Sequence, residues 1–554
     1  MLMRNTNHST PRRRKKRLRG LAVLTLCLCL LSGCAQQAST PTLSLPAPTP
    51  TPEPSPEPTA ATSQAPSMTS GEVTMGMVVG TDAAVHPLTC IYTDLVSLNS
   101  LVFESLVELD DTLAPAPMLA DRWSVNGSTW TFTLRSGIVF HNGAALTAND
   151  VVASYNYILS NGADGAYYDR VQAIDSMTAV DDLTLEVEAA DSTGYLLLYA
   201  MTFPVVQAST LDSALPMGTG PYWYIGYDTG VALRLERNPF WWKQAPKIGS
   251  IVARNYASSE LALSALDTGE INTLASRSKS VALSRTLSSR NTLDYPTMTY
   301  ECIVPNLTNS ALSNTDVRRA IMYAIDRTTL ASTVYLNMVL ESEVPIIPGS
   351  WTYETQTTRY NYSPERALQL LNESGWFDSD GDGILDKIQD GLVTDLSFTI
   401  ITYDEPETAT RTDAANLIAD QLALVGIRAE VEVMSKAEVR KALNNGSFDL
   451  ALVAFNLSES PDLTYLLGSN GDGNCSGYSS ETMDSLLRTA RRATTADEVQ
   501  SALSKIQLLT IEDLPVMGLF FRSGMVISTF NLNGLHGIRE SQTLRGIESW
   551  DLSQ

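Results

Sequence analysis

Residues 395–455 constrain the fold most, because the hydrophobic period there alternates regularly between that of a strand and that of a helix. DLSFTIITY (395–403) reads as a strand, TDAANLIADQLALVG (412–426) as a helix and IRAEVEVM (427–434) as a strand. KAEVRKALNNG (436–446) is again helical, and FDLALVAF (448–455) is a nearly continuous apolar strand. Strands joined by helical crossovers pair in parallel, and helices cover both faces of the sheet they form. The expectation is an α/β protein with a buried parallel sheet in its last third.

The chain has 554 residues, more than one core organises, so several lobes are expected. EVTMGMVVG (72–80) reads as a strand and TDLVSLNSLVFESLVEL (93–109) as a helix. STWTFTLR (128–135) alternates, with Trp130, Phe132 and Leu134 on one face. LTANDVVASYNYIL (146–159) is a helix with Thr147 as its N-cap. In TDVRRAIMYAIDR (315–327), Val317, Ala320, Ile321, Ala324 and Ile325 form a helical apolar stripe. Helices follow at 479–493 and 495–513, the second with a Thr495/Glu498 capping box.

The amino end has a different character. Residues 1–33 hold eight basic and no acidic side chains, then the apolar run LAVLTLCLCLL (21–31), then Ser32, Gly33 and Cys34. This is the pattern of a secretory signal peptide, with a run too short to span a bilayer comfortably. LSGC resembles the bacterial lipobox, which implies lipidation of Cys34. Residues 35–70 carry nine prolines and almost no charge, so 34–70 read as an extended, disordered tether. The net charge of −23 becomes −31 once the eight basic residues are removed. A surface so acidic argues against nucleic acid as a partner. Beyond the signal, Cys90, Cys302 and Cys475 are scattered and odd in number, which implies neither a disulfide framework nor a zinc site.

Motifs of catalysis are missing. His86, His141 and His536 are unclustered, and the sequence contains no HExxH, no G-x-S-x-G and no phosphate loop. DSDGDGILD (378–386) matches a calcium loop through Asp378, Asp380, Asp382, Gly383, Ile384 and Asp386, but Gln389 stands where the bidentate glutamate belongs and no second helix follows. It reads as a polar turn. The chain is expected to bind rather than catalyse, without cofactor or metal.

Four ordered stretches carry a resemblance. DRWSVNGSTWTFTLRSGIVFHNGAALTANDVVASYNYI (121–158) and MGTGPYWYIGYDTGVALRLERNPFWW (217–242) come first. NTDVRRAIMYAIDRTTL (314–330) and ANLIADQLALVG…FDLALVAFN (415–456) follow. Together they resemble the bacterial extracellular solute-binding proteins of family 5, the peptide, nickel and opine class that serves ABC importers. The resemblance implies a two-lobed, three-domain, periplasmic-binding-protein-like (type II) α/β clamp with a hinge. Residues 71–115, 230–305 and 535–554 would form the first lobe, 116–229 a signature domain within it, and 306–534 the second lobe. It also implies a monomer, anchored by lipid to the extracellular face of a bacterial membrane, that takes an oligopeptide or a related solute in the cleft and delivers it to permease and ATPase subunits. Alternatives are the same fold holding an oligosaccharide or a chelated metal, or a peptide-sensing receptor. A secreted hydrolase is disfavoured by the missing nucleophile and metal motifs.

In peptide-binding members, backbone from the strand matching LVAF pairs with the ligand, and an aspartate just downstream holds the ligand ammonium. Here Phe455 replaces the family's tryptophan, and Ser458 or Leu457 occupies the aspartate position, with Glu459 next to it. The resemblance therefore implies that Ala454, Phe455, Asn456, Ser458 and Glu459 line the cleft, with Asp82 and the segment 78–87 opposite.

Overall fold

The computed structural model describes residues 71–550 apart from 191–192, 287–289, 358, 390, 405–409 and 533. Cys34, the leader and the tether lie outside the described residues.

One eleven-stranded sheet organises the molecule. Its path runs from Arg428–Val433 through Ser397–Thr402, Leu450–Asn456, Asn291–Pro305 and Met517–Ser528. It continues through Thr273–Ser276, Glu72–Met77, Ser250–Asn255, Ala232–Arg237 and Tyr222–Asp228, and the eleventh strand, Val339–Glu341, pairs with Met517–Ser528 off this path. The strand–helix alternation of the last third holds: Ser397–Thr402 pairs in parallel with both Arg428–Val433 and Leu450–Asn456, and helices Thr410–Ala423 and Lys436–Asn445 make the crossovers. A separate antiparallel sheet orders Ala120–Asn126, Thr129–Leu134, Thr184–Ala189 and Ile174–Ala179. Its inward Trp130, Phe132 and Leu134 are buried as their alternation requires. Thr147 and Asp150 close a capping box on helix Ala148–Asn161, and Thr495 and Glu498 close another on Ala496–Asp513.

Two large cores result. One gathers residues from Val73 to Ala253 and then Tyr295 and Val526 to Trp550. The other gathers Tyr300 to Phe521, with Leu109, Leu196 and Tyr199 added. The chain passes between them inside the paired strands Asn291–Pro305 and Met517–Ser528. Their register breaks there, between Pro296↔Ser523 and Tyr300↔Phe521. An irregularity of this kind bends a sheet locally.

The helix expected over 93–109 ends at Asn99, and Val107–Leu109 is a strand. Tertiary partners take the carbonyls that a longer helix would use. Leu101 O accepts from Tyr222 N, Val102 O from Gly220 N and Glu104 O from Val205 N. The GTGPY motif supplies two of these contacts, and its glycines answer a close approach: a Cβ on Gly218 would overlap the Val102 carbonyl.

Under this turn, Glu104 is 4% exposed and accepts hydrogen bonds from Trp241 Nε1, Trp242 Nε1 and Thr219 Oγ1 at 3.1, 2.8 and 2.7 Å. Burial pushes its carboxyl up to about 7 despite those donors and nearby Lys243. His141, bonded to the Gly220 carbonyl at 3.2 Å, is pushed down by burial to about 4. The two groups act on stability in opposite directions. Folded Glu104 keeps a proton that the unfolded chain releases above about 4.5, so its contribution is lost as pH rises towards 7. Folded His141 refuses a proton that the unfolded chain takes below about 6.5, so its contribution is lost as pH falls towards 4. Each amounts to about 3 kcal/mol at most, less for the partly exposed histidine. Relative to the parent, Glu104→Gln is expected to gain stability as pH rises from 4.5 to 7, and His141→Gln to gain it as pH falls from 6.5 to 4. Melting temperatures of parent and variant, subtracted at each pH across that range, check both signs.

Candidate ligand-binding cleft

A cavity of about 460 Å³ opens where the two cores meet. Its walls come from seven places in the chain. Ile91, Thr93 and Val96 enter at the start of helix Thr93–Asn99, and Ala166 and Arg170 from around the short helix Tyr168–Val171. Asp111 to Leu113 form a turn, Leu293 to Met298 belong to a crossing strand, and Ile347 to Ser350 with Leu457 and Glu459 come from the second-core side. The segment Leu535 to Ser541 closes the ring. Apolar walls with a few placed polar groups are the usual make-up of a ligand pocket.

Contacts also run between the two sides of the cleft. Arg170 reaches Glu459 at 2.8 Å, and Ser541 Oγ donates to the same carboxylate at 3.0 Å. Trp351 N donates to Thr112 O at 2.9 Å, and Trp351 Nε1 to Tyr199 OH at 2.8 Å. Gly194 N and Tyr195 N donate to the carbonyls of Arg491 and Ala493, both at 2.6 Å.

Of the residues expected at the site, Glu459 lines the cavity. Burial pushes its carboxyl up, but the charges of Arg170 and Arg539 outweigh burial and hold it below the usual range, so it is ionised. Ser458 is exposed, and its Oγ accepts from Ser460 N at 3.1 Å. Asn456 is exposed and accepts from Thr299 Oγ1 at 3.1 Å. Ala454 and Phe455 are 5% and 3% exposed. Phe455 belongs to the second core, with its ring edge-on to Tyr465, and none of Ala454, Phe455, Asn456 or Ser458 is part of the cavity wall. Asp82 sits exposed in a turn, and neither it nor any other residue of 78–87 is part of that wall, whose first residue in chain order is Ile91. Asp111, Arg170, His536, Arg539 and Ser541 do line it, and sequence reasoning did not single them out. They come from three separate segments, around Asp111, around Arg170 and from His536 to Ser541, none of which carries a local pattern to mark it.

The strand Leu450–Asn456 nevertheless has a distinctive edge. Asn291–Pro305 pairs with it along its whole length, whereas Ser397–Thr402 meets it only at Leu450 and Ala451. Leu457 N donates to Met298 O, so alternation turns the backbone groups of Ala454 and Asn456 the other way. Among the described residues no strand pairs with that edge beyond Ala451.

His536 lines the cavity, whereas His86, His141 and the aspartate loop lie elsewhere. His86 Nε2 contacts the Leu211 carbonyl at 2.8 Å and stacks on Tyr157, while His536 faces Asp111. The carboxylate oxygens of Asp378, Asp380 and Asp382 come within 4.8 Å of one another. Asp386 turns away to accept from Ser379 N and Oγ. Cys90, Cys302 and Cys475 are free thiols.

Residues 114–476 match the family model described as bacterial extracellular solute-binding proteins, family 5. The chain belongs to this family. Among curated family 5 relatives, it is 24% identical over 480 residues to the oligopeptide-binding protein AppA of Bacillus subtilis, covering 82% of this chain and 87% of AppA. It is 25% identical over 440 residues to heme-binding protein A of Haemophilus influenzae, covering 72% and 77%. Among solved structures, AppA from Bacillus subtilis in complex with a nonapeptide superposes with a TM-score of 0.61 at 22% identity, covering 88% of this chain and all of that one. A nickel ABC transporter protein from Bacillus halodurans superposes at 0.75 with 21% identity, covering 85% and 98%. The family 5 fold, a mixed α/β clamp built on one large sheet, accounts for the two cores and the cleft between them. No helix among the described residues is long and apolar enough to cross a membrane.

Proposed function

We propose that this chain captures oligopeptides outside the cell and delivers them to the permease and ATPase subunits of an ABC importer. It works as a monomer held to the membrane by a lipid on Cys34. The observation that carries the reading is the open edge of Leu450–Asn456, a strand whose chain runs on through Leu457 and Glu459 into the cavity wall. A strand edge recognises an extended peptide through backbone groups and tolerates varied side chains. The printed description of AppA, an oligopeptide-binding protein crystallised with a nonapeptide, supports the peptide class. In this reading the register break at Pro296–Tyr300, opposite Phe521–Ser523, is the hinge, which moves the lobe boundaries away from the 305/306 and 534/535 that the resemblance implies. Closure excludes water and creates a surface that the open form lacks, which couples loading to docking.

Native mass spectrometry of the protein purified from its own host tests this. The expected result is one peptide per chain, of mixed sequence. A single non-peptide solute at full occupancy would overturn the peptide class.

A further inference from the structure

The four carboxylates on the cavity wall are Asp111, Asp294, Glu459 and Glu540. Each already faces a cation of this chain. Asp111 meets His536 at 3.1 Å and Arg545 at 3.4 Å, Asp294 pairs with Arg285, and Glu540 pairs with Arg277. Those three carboxylates sit in partly exposed pairs, where solvent screening makes the exchange of one cation for another worth little. Glu459 differs: its side chain is 11% exposed, and it binds Arg170 at 2.8 Å and Ser541 at 3.0 Å. An ammonium entering here would have to displace Arg170. That would leave a guanidinium unpaired next to Arg539, which itself bonds only neutral acceptors: the carbonyls of Leu109 and Asp110 and the amide of Gln542. Separating a buried pair is costly because it strands a charge.

We propose that the cleft holds the amino end of its ligand without a carboxylate, so that amino-blocked peptides bind as well as free ones, and that Arg170 sets this specificity by occupying Glu459. Arg170 Nη1 serves Glu459 and Thr202, whereas Nε and Nη2 donate to no described residue. Those donors suit a neutral acyl or carbonyl oxygen of the ligand. The inference rests on the peptide reading above.

Two pools of randomised synthetic pentapeptides, one with free amino ends and one acetylated, test it on the full chain freed of cargo. By titration calorimetry the wild type should bind the two pools within about threefold of each other. Arg170→Gln, which unmasks Glu459, should favour the free-amine pool by about tenfold or more. Glu459→Gln should weaken both pools by the same factor, because it loosens a contact across the cleft rather than an anchor. A wild type that prefers free amines by about tenfold, an Arg170→Gln ratio equal to the wild type, or a Glu459→Gln loss confined to the free-amine pool would each overturn the proposal. Binding of neither pool would overturn the peptide reading, and the inference with it.

Discussion

Glu301→Ala is expected to lower the stability of the protein by about 3–5 kcal/mol. Glu301 is fully buried and binds two guanidinium groups. Arg411 approaches it through Nε and Nη2, both at 2.9 Å, and Arg522 through Nε at 2.7 Å. Burial alone would push its carboxyl up, but the two arginines outweigh burial and hold it below the usual range. Removing the carboxylate takes from Arg411, 2% exposed, and from Arg522 the buried acceptor that they share. The three residues also join the two crossing strands to the first turn of helix Thr410–Ala423. Urea unfolding should show the loss as a lower midpoint at unchanged slope. A change under about 1 kcal/mol would mean that the site relaxes or admits water.

Phe455→Ala is expected to cost about 3–5 kcal/mol in the ligand-free protein. The side chain is 3% exposed and packed within the second core, so truncation leaves a cavity. Any loss of ligand binding would then follow from the unfolding. A melting temperature equal to the wild type would return Phe455 to the cleft.

Phe455 also shows where the sequence was legible and where it was not. The last third could be read because periodicity and order there specify a parallel sheet with its crossovers. The alternation of Trp130, Phe132 and Leu134, the N-cap at Thr147 and the capping box at Thr495 were local signals of the same kind. In Leu450–Phe455 all six residues are buried, so the strand has no polar face, and its sequence does not show which side meets a cleft. The turn after Asn99 was illegible for a different reason. The residues suit a helix, but the carbonyls of Leu101, Val102 and Glu104 are claimed by residues about 100 positions away or more. The cleft was the least legible of all. Arg170, Glu459 and Ser541 meet only in space, and family motifs mark the scaffold that brings them together.

The composition of the first core dictates an order of assembly. Glu72–Met77 pairs with Ser250–Asn255 and Thr273–Ser276, and the latter pairs in turn with Met517–Ser528. Leu532, Leu544, Ile547 and Trp550 complete the packing. A chain emerging amino end first therefore cannot finish the half it began with until its last residues are free. The second core, drawn almost entirely from Tyr300 to Phe521, becomes available sooner. The earliest residues to appear spend the longest time exposed, which is where long-range pairing leaves a chain most open to aggregation.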